Sequence, residues 1–128
     1  MKRKKRALIL VDHGSVIKEA NDTIVEVANM VRQNGKCDFD IVKYAHMELA
    51  EPTISEAFDA CVAEGAEEIV VHPYFLVPGR HSSMDIPSMV EDVAKKHAHV
   101  SYRVTEPLGL HQKIIEVILE RALEANIE

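Results

Sequence analysis

Tryptophan is absent, cysteine occurs twice, and aromatic residues make up only 5% of the 128 residues. Cys37 and Cys61 lie far apart and form no CxxC pair, so cysteine alone builds neither a disulfide framework nor a zinc or iron–sulfur site. Two free thiols fit a reducing, cytoplasm-like compartment. No run approaches the roughly eighteen consecutive apolar residues of a membrane span. The opening MKRKKR leads into an apolar stretch that Asp12 and His13 cut short, which argues against a secretory signal. Linkers, low-complexity tracts and repeats of solenoid period are lacking as well, and the length suits one domain with a proper core.

Positive charge is scarce outside the first six residues. The net charge is −6 although Lys2, Arg3, Lys4, Lys5 and Arg6 are all basic, so the body is more acidic than the total. An acidic body argues against nucleic acid as the main partner. The basic pentad reads as a frayed, solvated terminus. The expected organisation is a basic tail over 1–6 and a single domain over 7–128.

What the sequence does have is a period that switches. Ala7 to Val11 is a continuous apolar run, whereas Ile17, Ala20, Ile24, Val27, Ala28 and Val31 recur at helical spacing until Asn34-Gly35. Phe39 to Ala45 reads as a second strand. After Pro52, the residues Ile54, Ala57, Phe58 and Cys61 line a helix face that ends at Gly65, with Thr53 and Glu56 spaced for a capping box. Glu68 to Phe75 is the third strand, followed by a helix carrying Ile86, Met89, Val90, Val93 and Ala94, with Pro87 suited to its first turn. Val100 to Val104 makes a fourth strand. Leu110, Ile114, Val117, Ile118 and Ala122 give a last helix after Gly109. Four β-α units with short connections predict an α/β fold, a parallel sheet with helices on both faces.

In such a sheet every strand-to-helix loop opens at the carboxyl edge, where ligands bind. Asp12, His13, Gly14 and Ser15 follow the first strand, His46 and Glu48 the second, Pro78, Gly79, Arg80 and His81 the third, and Glu106 the fourth. Imidazole and carboxylate together suit ferrous iron, cobalt, nickel or zinc, and His13, Glu48 and His81 would make a two-histidine, one-carboxylate set. Each histidine taken alone reads more readily as a polar residue at a strand end bonded to backbone, and it is their convergence from separate loops that points to a metal. His72, inside the third strand, reads as a satisfied core histidine. His97 and His99 fall on the opposite edge, and His111 begins the last helix. A Ser-His-Asp triad is disfavoured because Asp12, His13 and Ser15 are adjacent rather than convergent. A phosphoryl-accepting histidine is disfavoured because Asp12 would repel a phosphate.

VDHGS at 11–15, AHMELAEPTI at 45–54, PYFLVPGRHSSMDIP at 73–87 and EPLGLH at 106–111 together resemble the small class II tetrapyrrole chelatases, the sirohydrochlorin chelatases. HMELAEP with PGRH is most similar to the plant type, which makes siroheme; related forms insert cobalt for cobalamin. The resemblance implies that His13 and His81 are the catalytic, metal-binding pair and that Glu48 joins them. It further implies that Gly14, Ser15, His46 and Arg80 face the tetrapyrrole, and that Ser82-Ser83-Met84 stands where relatives carry bulkier or charged residues. Arg80, Lys43 and the backbone N–H groups of Gly14 and Ser15 are the expected donors to its carboxylates. Phe75, Leu76 and Val77 form either an apolar lid over the ring or strand-end core. The implied substrates are sirohydrochlorin and Fe2+ or Co2+, with Ni2+ also accommodated. No prosthetic group is expected, since the cysteines of the iron–sulfur segment found in some plant forms are lacking. One four-strand domain is half of the two-lobed cleft of larger chelatases, which implies a homodimer. The compartment is cytoplasmic or, as in plants, the plastid stroma.

Overall fold

The computed structural model describes residues 3–77 and 80–125, with residues 80–84 described by backbone alone. The chain runs β1 (Arg6–Asp12), α1 (Lys18–Gln33), β2 (Ile41–His46), α2 (Ile54–Ala63), β3 (Glu68–Pro73), α3 (Arg80–Ala94), β4 (Ser101–Val104) and α4 (Gln112–Glu124). The four strands form one parallel sheet in the order β2-β1-β3-β4. This is the α/β architecture expected from the alternating periods.

Alternation along β1 divides the interior in two. Ala7, Ile9 and Val11 point to the face covered by α2 and α3, where Phe58, Ile86 and Val90 are fully buried against them. Leu10 points to the other face and packs with Ile24 and Ala28 of α1 and Val42 of β2. Met89 and Ile17, on the predicted helix faces, are exposed instead. α2 starts where its sequence says it should. The Thr53 hydroxyl accepts the Glu56 amide at 3.1 Å and the Glu56 carboxylate accepts the Thr53 amide at 2.9 Å, a complete capping box.

Three expectations change. Pro87 lies inside α3 rather than in its first turn, because the helix already begins at Arg80. A proline there withholds one amide from the helix, and the buried Ile86 and Val90 on either side of it hold the turn in place. The basic segment is tied down from Arg3 onward. The Arg3 guanidinium pairs with Asp38 at 2.9 Å and Asp40 at 2.6 Å, the Lys5 ammonium donates to the Glu64 carbonyl at 2.7 Å, and Arg6 meets Glu68 at 3.3 Å. Acidic residues gathered at the amino edge of the sheet are the reason, although exposed pairs of this kind add little stability. The last helix, finally, carries no buried residue: Ile115, Val117, Ile118, Leu119 and Leu123 are all exposed.

Candidate functional site

Connections leave β1 and β3 in opposite directions, to β2 on one side and β4 on the other, so a crevice opens between their carboxyl ends. An open hollow of about 400 Å³ lies there, lined by Asp12, His13, Gly14, Ser15, Tyr74 and Phe75 among others. Phe75 also walls a second cavity of about 250 Å³ at the ends of β3 and β4, bordered by Pro87, Thr105 and Glu106.

The β1 and β2 loops are knitted together past the ends of their strands. Asp12 and His46 are register partners at the strand tips. The Met47 amide donates to the Asp12 carbonyl at 2.8 Å and the Glu48 amide to the His13 carbonyl at 3.1 Å. Gly14 makes this approach possible: its φ is +93°, and a Cβ at that position would lie 1.9 Å from the Glu48 carbonyl oxygen. Only glycine fits such a position without strain.

The result is a pair of side chains on the rim. His13 Nε2 lies 3.3 Å from Glu48 Oε1, with both side chains about half exposed. The other ring nitrogen, Nδ1, faces the Gly14 carbonyl oxygen at 3.3 Å. A carbonyl only accepts, and with the ring hydrogen on Nδ1 toward it the Nε2 lone pair is directed at the carboxylate, which also only accepts. Two acceptors facing each other call for a cation between them, a proton or a metal. Nitrogen and oxygen ligands at about 2.1 Å and adjacent on a divalent ion stand about 3.0–3.4 Å apart, so the observed gap has the width of a metal's edge. A bare carboxylate at the same spot also raises the local affinity for a divalent ion.

The structure brings His13, Glu48 and Gly14 together. Of the other expected residues, Arg80 and His81 open α3, but their side chains, like Pro78, Gly79 and the side chains of Ser82 to Met84, lie outside the described residues. Among the described residues no three His, Cys, Asp or Glu side chains gather closely enough to hold a metal. His46 is 1% exposed and its Nδ1 bonds Asp12 at 2.6 Å, so it lies beneath the rim and not on it. The Ser15 amide, expected to face substrate, donates instead to the Asn21 side-chain oxygen at 2.9 Å, and its hydroxyl oxygen accepts the Ile17 amide at 3.0 Å. Lys43 pairs with Glu64 beyond the far end of α2 and does not reach the rim. Phe75 packs on the core, whereas Leu76 and Val77 are 61% and 80% exposed, so the two readings of this segment divide within it.

Three further histidines and the buried cysteine are occupied elsewhere. His72 bonds Thr105 at 2.8 Å, His97 bonds Asp59 at 2.7 Å and stacks on Phe58, and the His111 ring accepts the Lys113 amide as the cap of α4. Cys61 is buried in the core, where burial pushes its thiol up to about 12. Sequence reasoning passed over Asn21, which ties the β1 loop to α1 through paired bonds to the Ser15 amide and carbonyl. Its only signal was a polar side chain facing the loop one turn into an amphipathic helix.

The CbiX family matches residues 7–125. The chain is 46% identical over 114 residues to a chloroplastic sirohydrochlorin ferrochelatase of Arabidopsis thaliana, covering 89% of this chain and 50% of that protein. It is 34% identical over 117 residues to a sirohydrochlorin cobaltochelatase of Sulfurisphaera tokodaii, covering 91% of each. The solved structure of SirB from Bacillus subtilis with Fe3+ superposes with a TM-score of 0.86 at 27% identity, over 97% of this chain and 48% of that one. The chain thus spans about half the length of the plant and Bacillus relatives and nearly all of the archaeal one.

Proposed function

The chain belongs to the CbiX family, and from that premise we propose that it is a lyase that inserts ferrous iron into sirohydrochlorin to form siroheme. The observation that carries this reading is the 3.3 Å gap between His13 Nε2 and Glu48 Oε1 at the mouth of the crevice. Insertion exchanges two pyrrole N–H protons for one divalent ion, so the site must hold a metal and then take up protons. An imidazole lone pair facing a carboxylate serves both ends of that exchange, since histidine is the side chain suited to proton uptake near neutral pH. His81 completes the set as second imidazole, and Arg80 serves as donor to the substrate's carboxylates, a role strengthened by the engagement of Lys43 and the Ser15 amide elsewhere. His46 acts from below the rim; Gly14 and Ser15 line the hollow beneath the ring.

Cobalt insertion is the second reading, favoured by the Sulfurisphaera tokodaii cobaltochelatase, which matches this chain along nearly its whole length. Imidazole and carboxylate accept either ion. The chain acts as a homodimer. A single four-strand unit is half of the Bacillus structure, and α4 leaves its apolar side uncovered while Arg103 and Thr105 of the β4 segment stand exposed on the sheet. An apolar helix face of that extent is the mark of a surface meant for another chain. The cytoplasm or a plastid stroma is the compartment that fits two free thiols.

Anaerobic absorbance of sirohydrochlorin with ferrous or cobaltous ion and substoichiometric protein tests the reading. Many turnovers above the metal-only rate are expected, with the faster metal identifying the physiological one, and His13→Ala is expected to lower the rate at least about 100-fold. A spectral change that saturates at one ring per site would instead make the protein a carrier.

A further inference from the structure

His46 is the only buried polar residue among the described residues, at 1% exposure. Nothing in the exchange of metal for protons requires an imidazole there. Its Nδ1 hydrogen donates to Asp12 Oδ1 at 2.6 Å, the short distance of a bond to a charged acceptor, and its ring meets the edge of Tyr44 with centroids 5.9 Å apart. The His46 amide donates to the Pro52 carbonyl at 2.9 Å, which closes the loop between β2 and α2 upon itself. Asp12, partly exposed, reaches from the buried His46 to the wall of the hollow, next to His13.

We infer that Asp12 and His46 are positioning residues: a part-buried clamp that locks the β2 loop onto the β1 loop and thereby sets Glu48 at bonding distance from His13. This rests on the function proposed above. The clamp spans the two strand tips one residue before each functional loop departs. The amide ladder from Met47 to Asp12 and from Glu48 to His13 begins at the clamped pair. A half-exposed glutamate has many rotamers and no other described partner than His13, so what the fold can fix is the position of its backbone. Groups that orient ligands from behind in this way typically change metal affinity or activity by about 10–100-fold when removed.

A double-mutant cycle on the full chain separates positioning from general support. Asp12→Ala is expected to lower kcat/KM for cobaltous ion about 10–100-fold, and in a Glu48→Gln background it is expected to cost less than about threefold, because the residue being positioned is already gone. Asp12→Asn keeps an oxygen that accepts the His46 hydrogen and is expected to stay within about tenfold of the parent. Costs that multiply in the double variant would overturn the inference. So would Asp12→Asn failing as completely as Glu48→Gln while still folded, which would put the Asp12 charge at the reacting atoms. Amide hydrogen exchange tests the clamp without reference to turnover: in Asp12→Ala, or in Asp12→Asn/His46→Ala should the former not fold, the Met47 and Glu48 amides are expected to exchange at least about tenfold faster. Unchanged exchange rates would refute the clamp even if the chelatase reading stood. If exchange accelerates but Glu48→Gln turns over normally, the clamp survives and the function assigned to Glu48 falls.

Discussion

Single residues in this protein answer to neighbours that their own sequence position does not reveal. His72 was readable as an inward-facing histidine of the third strand, but its partner Thr105 becomes visible only through the register that sets β3 beside β4. The Thr105 hydroxyl donates to the Glu106 carbonyl at 2.8 Å, so toward His72 it accepts, and the ring is held with its hydrogen on Nδ1. Burial lowers the His72 pKa below the ordinary imidazole value. The unfolded chain therefore binds the proton more readily than the folded one, and stability falls as pH drops through and below about 6.5. Urea unfolding at pH 7.5 and 5.5 is expected to show a lower midpoint at the acid value, with a smaller drop in His72→Gln. Equal drops in the two proteins would assign the acid sensitivity to other groups. The same limit explains why His13 and Glu48 were nameable as residue types while their contact was not: it depends on the pairing of Asp12 with His46 and on the missing side chain of Gly14.

Elements were more legible than contacts where the local signal and the packing agree. α2 is the clearest case, since Thr53 and Glu56 spell out its start and its four buried residues repeat on one face. Thr53→Ala is expected to cost about 0.5–2 kcal/mol of unfolding free energy, read from the shift of the urea midpoint at constant slope. A shift of no more than a few tenths would mean that the tertiary setting of α2 holds the first turn without its cap. Legibility failed where two signals compete. Pro87 looks like a helix start, yet buried residues on both sides carry α3 through it. α4 has the apolar spacing of a core-facing helix and lies against almost nothing in its own chain. Periodicity reports that a face needs cover, and it cannot say whether the cover comes from the same molecule.

At the scale of the whole molecule that question decides how many chains make a working unit. A thirteen-residue helix is marginal on its own in water, so α4 gains its stability from whatever its apolar side meets. Ile118→Asp puts a charge in the middle of that side. Sedimentation velocity is expected to show the parent as a dimer and the variant as a monomer, with turnover lost alongside. A variant that stayed dimeric and active would move the subunit contact elsewhere. The joint at Gly14 reaches further than the stability of one loop. Because the space its absent Cβ would occupy is filled by the Glu48 carbonyl, two segments that follow different strands are fitted to each other as one part. A chimera that exchanged either loop alone would keep the rim histidine without the segment against which Gly14 is seated, and its fit to the glutamate loop would be lost.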